Sequence, residues 1–177
     1  GSLALVAAGK AGATLAIGVS LARNEIDNVV EASIKGLAKF DATSSSPSEP
    51  NGISLTATAS PTIDAAAVAV SAAGSFSTGE SNPSSGFTGA VSGAGAESTN
   101  VILGSTTATI ASSTVTSKGD VTAAATMTGT ITAHVDAVSV AVAGGQTGAI
   151  GVAVGAGVAR NLIGFDGDDR EAVGVTA

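Results

Sequence analysis

Internal repetition is the sequence feature that most constrains the fold. Residues 16–26 read AIGVSLARNEI and residues 153–163 read AVGAGVARNLI, a spacing of 153 − 16 = 137 residues. A second spacing is half as long, since residues 62–65 match residues 130–133 at 130 − 62 = 68 residues. About two and a half units of roughly 68 residues are typical of a repeat array rather than of one closed domain.

The copies divide the chain into segments. Residues 1–42 form the C-terminal part of a first repeat unit, residues 43–52 a polar linker loop, residues 53–118 a second unit, and residues 119–177 a third, incomplete unit. Within the second unit, residues 74–89 replace the short Gly-rich turns of the other copies. Because insertions between repeats map to exposed loops, this stretch predicts a surface loop.

Alternation of apolar and polar residues predicts strands. From residue 53 to residue 59, Ile, Leu and Ala alternate with Ser and Thr, which is the period of a half-buried strand. After Asp136 the larger side chains move to the even positions, which predicts a corner or a bulge there. No long segment has the apolar spacing and caps of a helix, so the chain is predicted to be all-β.

Small residues dominate the composition, with 24 Gly and only 2% aromatic residues. Ala, Val, Gly and Thr suit sheets that approach closely and stack coil upon coil, which favours a repetitive, parallel β-helix-like β-solenoid. The alternative is an antiparallel β meander or sandwich, in which Gly144 and Gly145 close a hairpin. The glycine pairs at positions 93 and 95 and at positions 155 and 157 are interpreted as points of close sheet packing.

Two groups of residues carry a family resemblance. Residues 114–125 (TVTSKGDVTAAA), followed by residues 130–133 (TITA), resemble coils of the filamentous-haemagglutinin-like β-helical adhesins. The Ala-Arg-Asn-x-Ile blocks at residues 22–26 and 159–163 are similar to the Ala/Gly/Val-rich repeats of giant bacterial surface proteins of that kind. The resemblance implies a structural role in an adhesin shaft or a self-assembling surface filament.

Composition also limits the partners. A net charge of −7 argues against binding the phosphate backbone of nucleic acids, and the absence of Cys excludes a disulfide framework and a Cys-ligated metal site. We expect a non-enzymatic protein without a cofactor that is extracellular, either on the bacterial surface or secreted. Its expected partners are copies of itself or adjoining repeats, bound through open strand edges; a surface or glycan target is not specified.

Few residues suggest catalytic chemistry. His134 is the one imidazole of the sequence, with Asp136 two residues on and Ser139 nearby. No Gly-x-Ser-x-Gly motif is present, and the spacing of the three residues follows from strand alternation. We therefore predict that His134 and Asp136 are solvent-facing strand residues.

One dense acidic cluster suggests a metal site. Asp166, Asp168, Asp169 and Glu171 surround Gly167, and oxygen ligands at alternate positions next to a glycine turn are suited to Ca²⁺. The equivalent stretches of the other copies do not repeat the cluster. A solvated acidic turn is the simpler interpretation, and calcium binding is the alternative.

Threonines at alternate positions suggest a second function. This spacing occurs in three pairs and one longer run: Thr56 and Thr58, Thr107 and Thr109, Thr114 and Thr116, and the threonines at 126, 128, 130 and 132. Rows of this kind on a solenoid would bind ice or glycan, although Thr also favours exposed strand positions in general.

A membrane span is the remaining alternative. Residues 137–159 carry no charge over about 23 residues, enough to cross a bilayer as a helix. Alternation within this stretch favours strands instead, and no aromatic belt or basic flank accompanies it. We therefore do not expect a membrane partner.

Overall fold

The computed structural model describes residues 1–8, 11–43, 52–77 and 87–164. Within these ranges the chain forms strands and no helix, which confirms the all-β prediction. The strands are β1 (Ser2–Ala8), β2 (Gly12–Lys35), β3 (Phe40–Ala42), β4 (Ile53–Ala59), β5 (Thr62–Ser77), β6 (Phe87–Ala111), β7 (Val115–Ser117), β8 (Val121–Met127), β9 (Thr130–Gly144) and β10 (Gly148–Ile163).

The strands form parallel sheets whose register follows the sequence repeat. Two sheets have three strands, in the orders β1-β5-β9 and β10-β6-β2, and two have two strands, β3-β7 and β4-β8. Ser2 lies opposite Ser71 (71 − 2 = 69) and Ile53 lies opposite Val121 (121 − 53 = 68), in both cases in parallel strands. An antiparallel meander pairs neighbouring strands in opposite directions, so it does not describe these pairs.

The chain divides into two compact units that are not the sequence repeats. Unit 1 comprises residues 1–24, 64–99 and 132–161. The described residues of unit 2 are 25–43, 52–63, 100–131 and 162–164. Each unit therefore draws segments from all three repeats, because successive repeats lie side by side in the sheets.

The buried side chains in the described part of unit 1 are small, namely Ala, Ser and Thr. Its two alanine clusters join the sheets β1-β5-β9 and β10-β6-β2. A Cβ atom at Gly18 would lie 2.5 Å from the Val70 carbonyl oxygen, and one at Gly155 would lie 2.6 Å from that of Ala137. The two sheets are thus close enough to exclude any side chain at these positions, and the neighbouring inward positions take Ala, Ser or Thr. The buried alanines of the two clusters are Ala16, Ala67, Ala69, Ala73, Ala90, Ala94 and Ala96.

The predicted corner after Asp136 is wrong. Strand β9 continues from Thr130 to Gly144 with unbroken alternation. Ser139 and Ala141 point inward, whereas Val138, Val140 and Val142 remain about half exposed (50, 49 and 50%). The shift of large residues to even positions places them on the outside, because the space between the sheets is too thin for them.

The glycine interpretation is half correct. Gly155 and Gly157 face inward, where their Cβ positions would meet Ala137 and Val135. Gly93 and Gly95 have no atom within 4 Å of a Cβ position, and they alternate with the buried Ala94 and Ala96. They therefore face outward and do not serve close sheet packing.

Unit 2 has a core of larger side chains. The branched residues Ile53, Leu55, Ile63, Ile102 and Leu103 are all less than 9% exposed. Four of the six outward positions of β2 in this unit are charged, and the other two are Val29 and Ser33. Glu31 and Lys35 form an ion pair on this side of the strand. Strand β2 ends at Lys35, and the next residue, Gly36, has a positive φ of 70°. Unit 2 thus follows the ordinary rule of apolar inside and charged outside.

Strands replace both ends of the predicted insertion. Strand β5 continues to Ser77 because residues 71–77 pair with β1, and β6 begins at Phe87. Residues 78–86 of this insertion, and residues 44–51 of the predicted linker, lie outside the described residues.

Candidate functional site

The predicted metal ligands cannot be placed in the structure. Asp166, Asp168, Asp169 and Glu171 lie outside the described residues. Within the described ranges, no three His, Cys, Asp or Glu side chains come together in a group suited to a metal ion. Calcium binding at the acidic cluster therefore stays a prediction from the sequence.

His134, Asp136 and Ser139 do not converge. All three belong to β9, but His134 and Asp136 lie on its exposed face and Ser139 lies on its inward face. The Ser139 hydroxyl is 3.5 Å from that of Ser71 in the interior of unit 1. A nucleophile and its base need to be within hydrogen-bond reach on one face, so these residues do not form a triad.

The uncharged stretch from residue 137 to residue 159 consists of parts of β9 and β10. In the part of the chain that the structure describes, no helix is long and apolar enough to span a membrane.

Hydroxyl groups line the outer face of the β4-β8 pair. Ser54, Thr56 and Thr58 are exposed on β4, between buried apolar neighbours. The parallel register sets Ser54 beside Thr122, Thr56 beside Ala124, and Thr58 beside Thr126. Five of these six outward positions therefore carry a hydroxyl group, in two rows. We call this surface the hydroxyl face.

The other threonine pairs lie elsewhere. Thr107 and Thr109 belong to β6, and Thr116 on β7 lies opposite Asp41 on β3. The run from 126 to 132 divides between β8, which ends at Met127, and β9, which begins at Thr130. The threonine spacing of the sequence thus does not correspond to one continuous row.

Buried hydroxyl groups bridge the two sheets of unit 1. The Ser71 hydroxyl contacts the hydroxyls of Ser92 and Ser139. Thr14 donates a hydrogen bond to the Gly74 carbonyl at 2.9 Å, and Ser75 donates one to the Gly12 carbonyl at 3.0 Å. Hydrogen bonding removes most of the cost of burying a hydroxyl, so serine and threonine serve here as small interior residues.

Large aliphatic side chains cover the outside of the β10-β6-β2 sheet in unit 1. They form two ridges with a groove between them, and we call this surface the groove face. The groove is open over Gly93 and Gly95 on the central strand. One ridge on β2 consists of Leu15, Ile17, Val19 and Leu21, and the other on β10 consists of Ile150, Val152, Val154 and Val158.

Sequence reasoning missed the groove face because it assigned the larger residue of each alternating pair to the core. The residues themselves were visible: Leu15, Ile17 and Val19 alternate with Thr14, Ala16 and Gly18. A signal was present in the inward set, which contains Gly and Thr at positions where a thick core would require larger side chains.

Two exposed carboxyl groups in unit 2 have perturbed acidity. The hydrogen bond from Lys35, together with its charge, lowers the pKa of Glu31 below its ordinary value of 4.5. A hydrogen bond from Thr43, and then one from Lys39, lowers the pKa of Asp41. The Lys39 Nζ to Asp41 Oδ2 distance is 3.1 Å. Both are surface ion pairs, which ordinarily serve solubility and local order rather than chemistry.

Comparison with known proteins gave no relatives: no family model matches the chain, and neither the curated proteins nor the solved structures contain a match.

Proposed function

We propose that the chain is a non-enzymatic structural segment of a parallel β-solenoid, forming part of an adhesin shaft or a self-assembling surface filament. The observation that carries this proposal is the parallel, in-register pairing of successive repeats, with partners 68 and 69 residues apart in β4-β8 and β1-β5. Stacking of equivalent strands is the arrangement by which solenoid proteins bury a core that no single repeat can bury alone.

Open strand edges support extension of the stack. In the sheets that the structure describes, β1 and β9 lie at opposite edges of one sheet, and β2 and β10 lie at opposite edges of the other. Backbone N–H and C=O groups along an unpaired edge form a template for a further strand. A second copy, or an adjoining repeat, would satisfy these groups in the same parallel manner.

The repeated interior favours such stacking. Ser2 lies opposite Ser71 in register, and Ser71 contacts Ser139 in the next strand. The Ser2 hydroxyl is buried without a hydrogen-bond partner in this structure. A serine from a stacked neighbour would supply that partner, since the column of hydroxyl groups would continue.

The proposed location is the bacterial exterior. The chain has no Cys and a net charge of −7, a composition suited to a protein exposed to varying redox conditions. Dense backbone pairing and small side chains would provide stiffness and resistance to proteases, as a shaft requires. The resemblance of its repeats to β-helical adhesins points the same way.

Negative-stain electron microscopy of the purified chain at micromolar concentration tests this proposal. We expect fibres of uniform width, or short rods if the chain is a shaft segment that does not polymerise. Fibres should also diffract with a meridional spacing of about 4.8 Å, the distance between stacked strands. Compact round particles would contradict the solenoid.

A matched variant separates edge stacking from other association. Ala153 is an exposed position on the inward side of β10, between Gly151 and Gly155. Because an inward-pointing charge at an open edge blocks strand addition, Ala153→Lys should abolish fibres. Val154→Lys, on the outward side of the same strand, should leave them intact.

Ice or glycan binding is a second candidate, and the hydroxyl face favours it. The register of β4 and β8 aligns Thr58 with Thr126 and Ser54 with Thr122, giving a regular array of hydroxyl and methyl groups. Thermal hysteresis of the intact chain, lost in Thr58→Lys and unchanged in Thr107→Lys, would support this function. No hysteresis, together with no retention on a glycan array, would reject it.

A further inference from the structure

We propose that two copies of this chain pair face to face through the groove face of unit 1, with the β2 ridge of each copy filling the glycine groove of the other. This pairing uses the outer surface of a sheet. The stacking proposed above uses strand edges, so the two associations are independent of each other.

The groove is open and mostly apolar, with the Glu97 side chain on the same strand as its one charged lining residue. No heavy atom lies within 4 Å of a Cβ position at Gly93 or Gly95. Val19 and Leu21 line the groove on one side, and Ala156 and Val158 line it on the other. Gly95 and Glu97 form its floor, and the volume above them is about 240 Å³. A side chain of the size of valine or isoleucine fits this space without displacing any neighbour.

The ridge that would fill the groove lies on the same face. Val19, Leu21 and Gly95 line the same stretch, so ridge and groove lie at one height along the strands. A two-fold axis parallel to the strands, between β2 and β6, preserves that height. It sets the β2 ridge of each copy over β6 of the other, and Val19 then meets the partner's groove at Gly95 twice, as a two-fold interface requires.

A second copy is favoured over a lipid surface. Leu15, Ile17, Val19 and Leu21 are each more than 60% exposed, and a contiguous apolar patch of a few hundred Å² on a soluble protein is often a functional surface. Lipid would cover the ridges equally well, but it would leave the edges of β2 and β10 without hydrogen-bond partners in hydrocarbon, which is costly. Binding to a lipid surface requires only an exposed apolar face, whereas binding a second copy also requires a ridge and a groove at the same position along the strands, as this face has.

The size of the face predicts a weak association. The axis between β2 and β6 overlaps only these two strands of each copy. Two strands about 4.8 Å apart, and nine residues of about 3.3 Å each, give a contact of roughly 300 Å² per copy. Stable complexes bury about 800 Å² per partner. We therefore expect a dissociation constant on the order of 100 µM for an isolated pair, and tighter lateral association only where many units are joined.

Sedimentation equilibrium between 10 and 500 µM tests the pairing, with all variants made in the Ala153→Lys background so that edge stacking is blocked. The Ala153→Lys protein, which is the parent of these variants, should show a monomer–dimer equilibrium. The double variant Gly93→Val and Gly95→Val fills the groove from within and should weaken dimerisation at least tenfold. Neither glycine has a positive φ or a close neighbour, so the monomer should retain its fold, checked by circular dichroism and thermal unfolding.

Ridge and control variants complete the design. Val19→Ala should also weaken dimerisation. Val140→Ala, which trims an equally apolar side chain on the outside of the other sheet, should not. A parent that stays monomeric at 500 µM, or a groove-filled variant that dimerises as well as the parent, would overturn the proposal. The proposal would also be overturned if the protein did not dimerise but floated with phosphatidylcholine vesicles, and if Val19→Lys abolished that flotation. This result would assign the face to lipid.

Discussion

Glycine has two opposite roles in unit 1, and the side of the strand determines which. Gly18 lies where the two sheets approach, with the Val70 carbonyl oxygen 2.5 Å from its Cβ position, whereas Gly93 faces open space. Both residues occupy alternating Gly-rich sequence of the same kind. The sequence therefore predicted that glycines matter for close approach but could not indicate which ones, since that depends on the facing strand.

This difference predicts opposite effects of the same substitution. Gly18→Ala forces the sheets apart and should destabilise the chain by about 1–3 kcal/mol, the usual cost of overpacking. Gly93→Ala introduces no clash and should stabilise it by about 0.4–1 kcal/mol, because alanine restricts the unfolded chain. Urea unfolding of the two variants checks this, and equal effects at both sites would contradict the close approach of the sheets.

Glu31 provides a pH-dependent prediction at the same scale. Lys35 lowers the pKa of Glu31, so the stabilisation from this pair is complete above about pH 4.5 and is lost as the pH falls through the lowered value in the folded protein. Lys35→Met should raise the pKa of Glu31 towards 4.5, measured by NMR titration of the side-chain carboxyl carbon. Lys39→Met, the matched control, should raise the pKa of Asp41 and leave that of Glu31 unchanged.

Strands were predictable from the sequence, but their inward faces were predictable only in part. In β4, apolar Ile53 and Leu55 are buried and Ser54 and Thr56 are exposed, as alternation predicts. In the second half of β9 the order is reversed, and Val138, Val140 and Val142 lie outside. Alternation fixes which residues share a face, whereas the choice of inner face depends on the distance between the sheets. That distance is set by glycines distant in sequence.

The buried hydroxyl cluster gives the prediction for this scale. Ser71→Ala leaves Ser92 and Ser139 without one hydroxyl partner and should cost about 1–3 kcal/mol. Ser71→Val should cost more, although valine is a better strand former, because the space beside Gly18 is already filled. Val70→Thr, one position away on the exposed face, should change stability by less than about 0.5 kcal/mol. If the Ser71→Val protein were as stable as the parent in urea unfolding, the interior would have room to spare.

For the whole molecule, the 68-residue spacing predicted the register and the composition predicted the all-β class. Thr62 and Thr130 occupy equivalent positions in the repeat, and the β4-β8 pair shows the same offset. The division into two units was not predictable, because it cuts across the repeats. Unit 1 has an alanine-rich interior and unit 2 an interior rich in isoleucine and leucine, a contrast that becomes visible only once the strands are aligned.

Cysteine cross-linking across the parallel pairs is the most direct test of this account. The chain has no native Cys, so each engineered pair reports on itself alone. Two double variants place cysteines at residues that lie opposite each other in register: Thr58→Cys with Thr126→Cys, and Leu3→Cys with Ala72→Cys. Neighbouring strands lie about 4.8 Å apart, and a disulfide needs a Cα–Cα distance of about 4.4–6.8 Å. Both cysteine pairs should form disulfides readily. The control pairs, Thr58→Cys with Ala124→Cys and Leu3→Cys with Val70→Cys, are offset by two residues and should not. Efficient cross-linking of the offset pairs, or none in register, would contradict the parallel stacking of repeats.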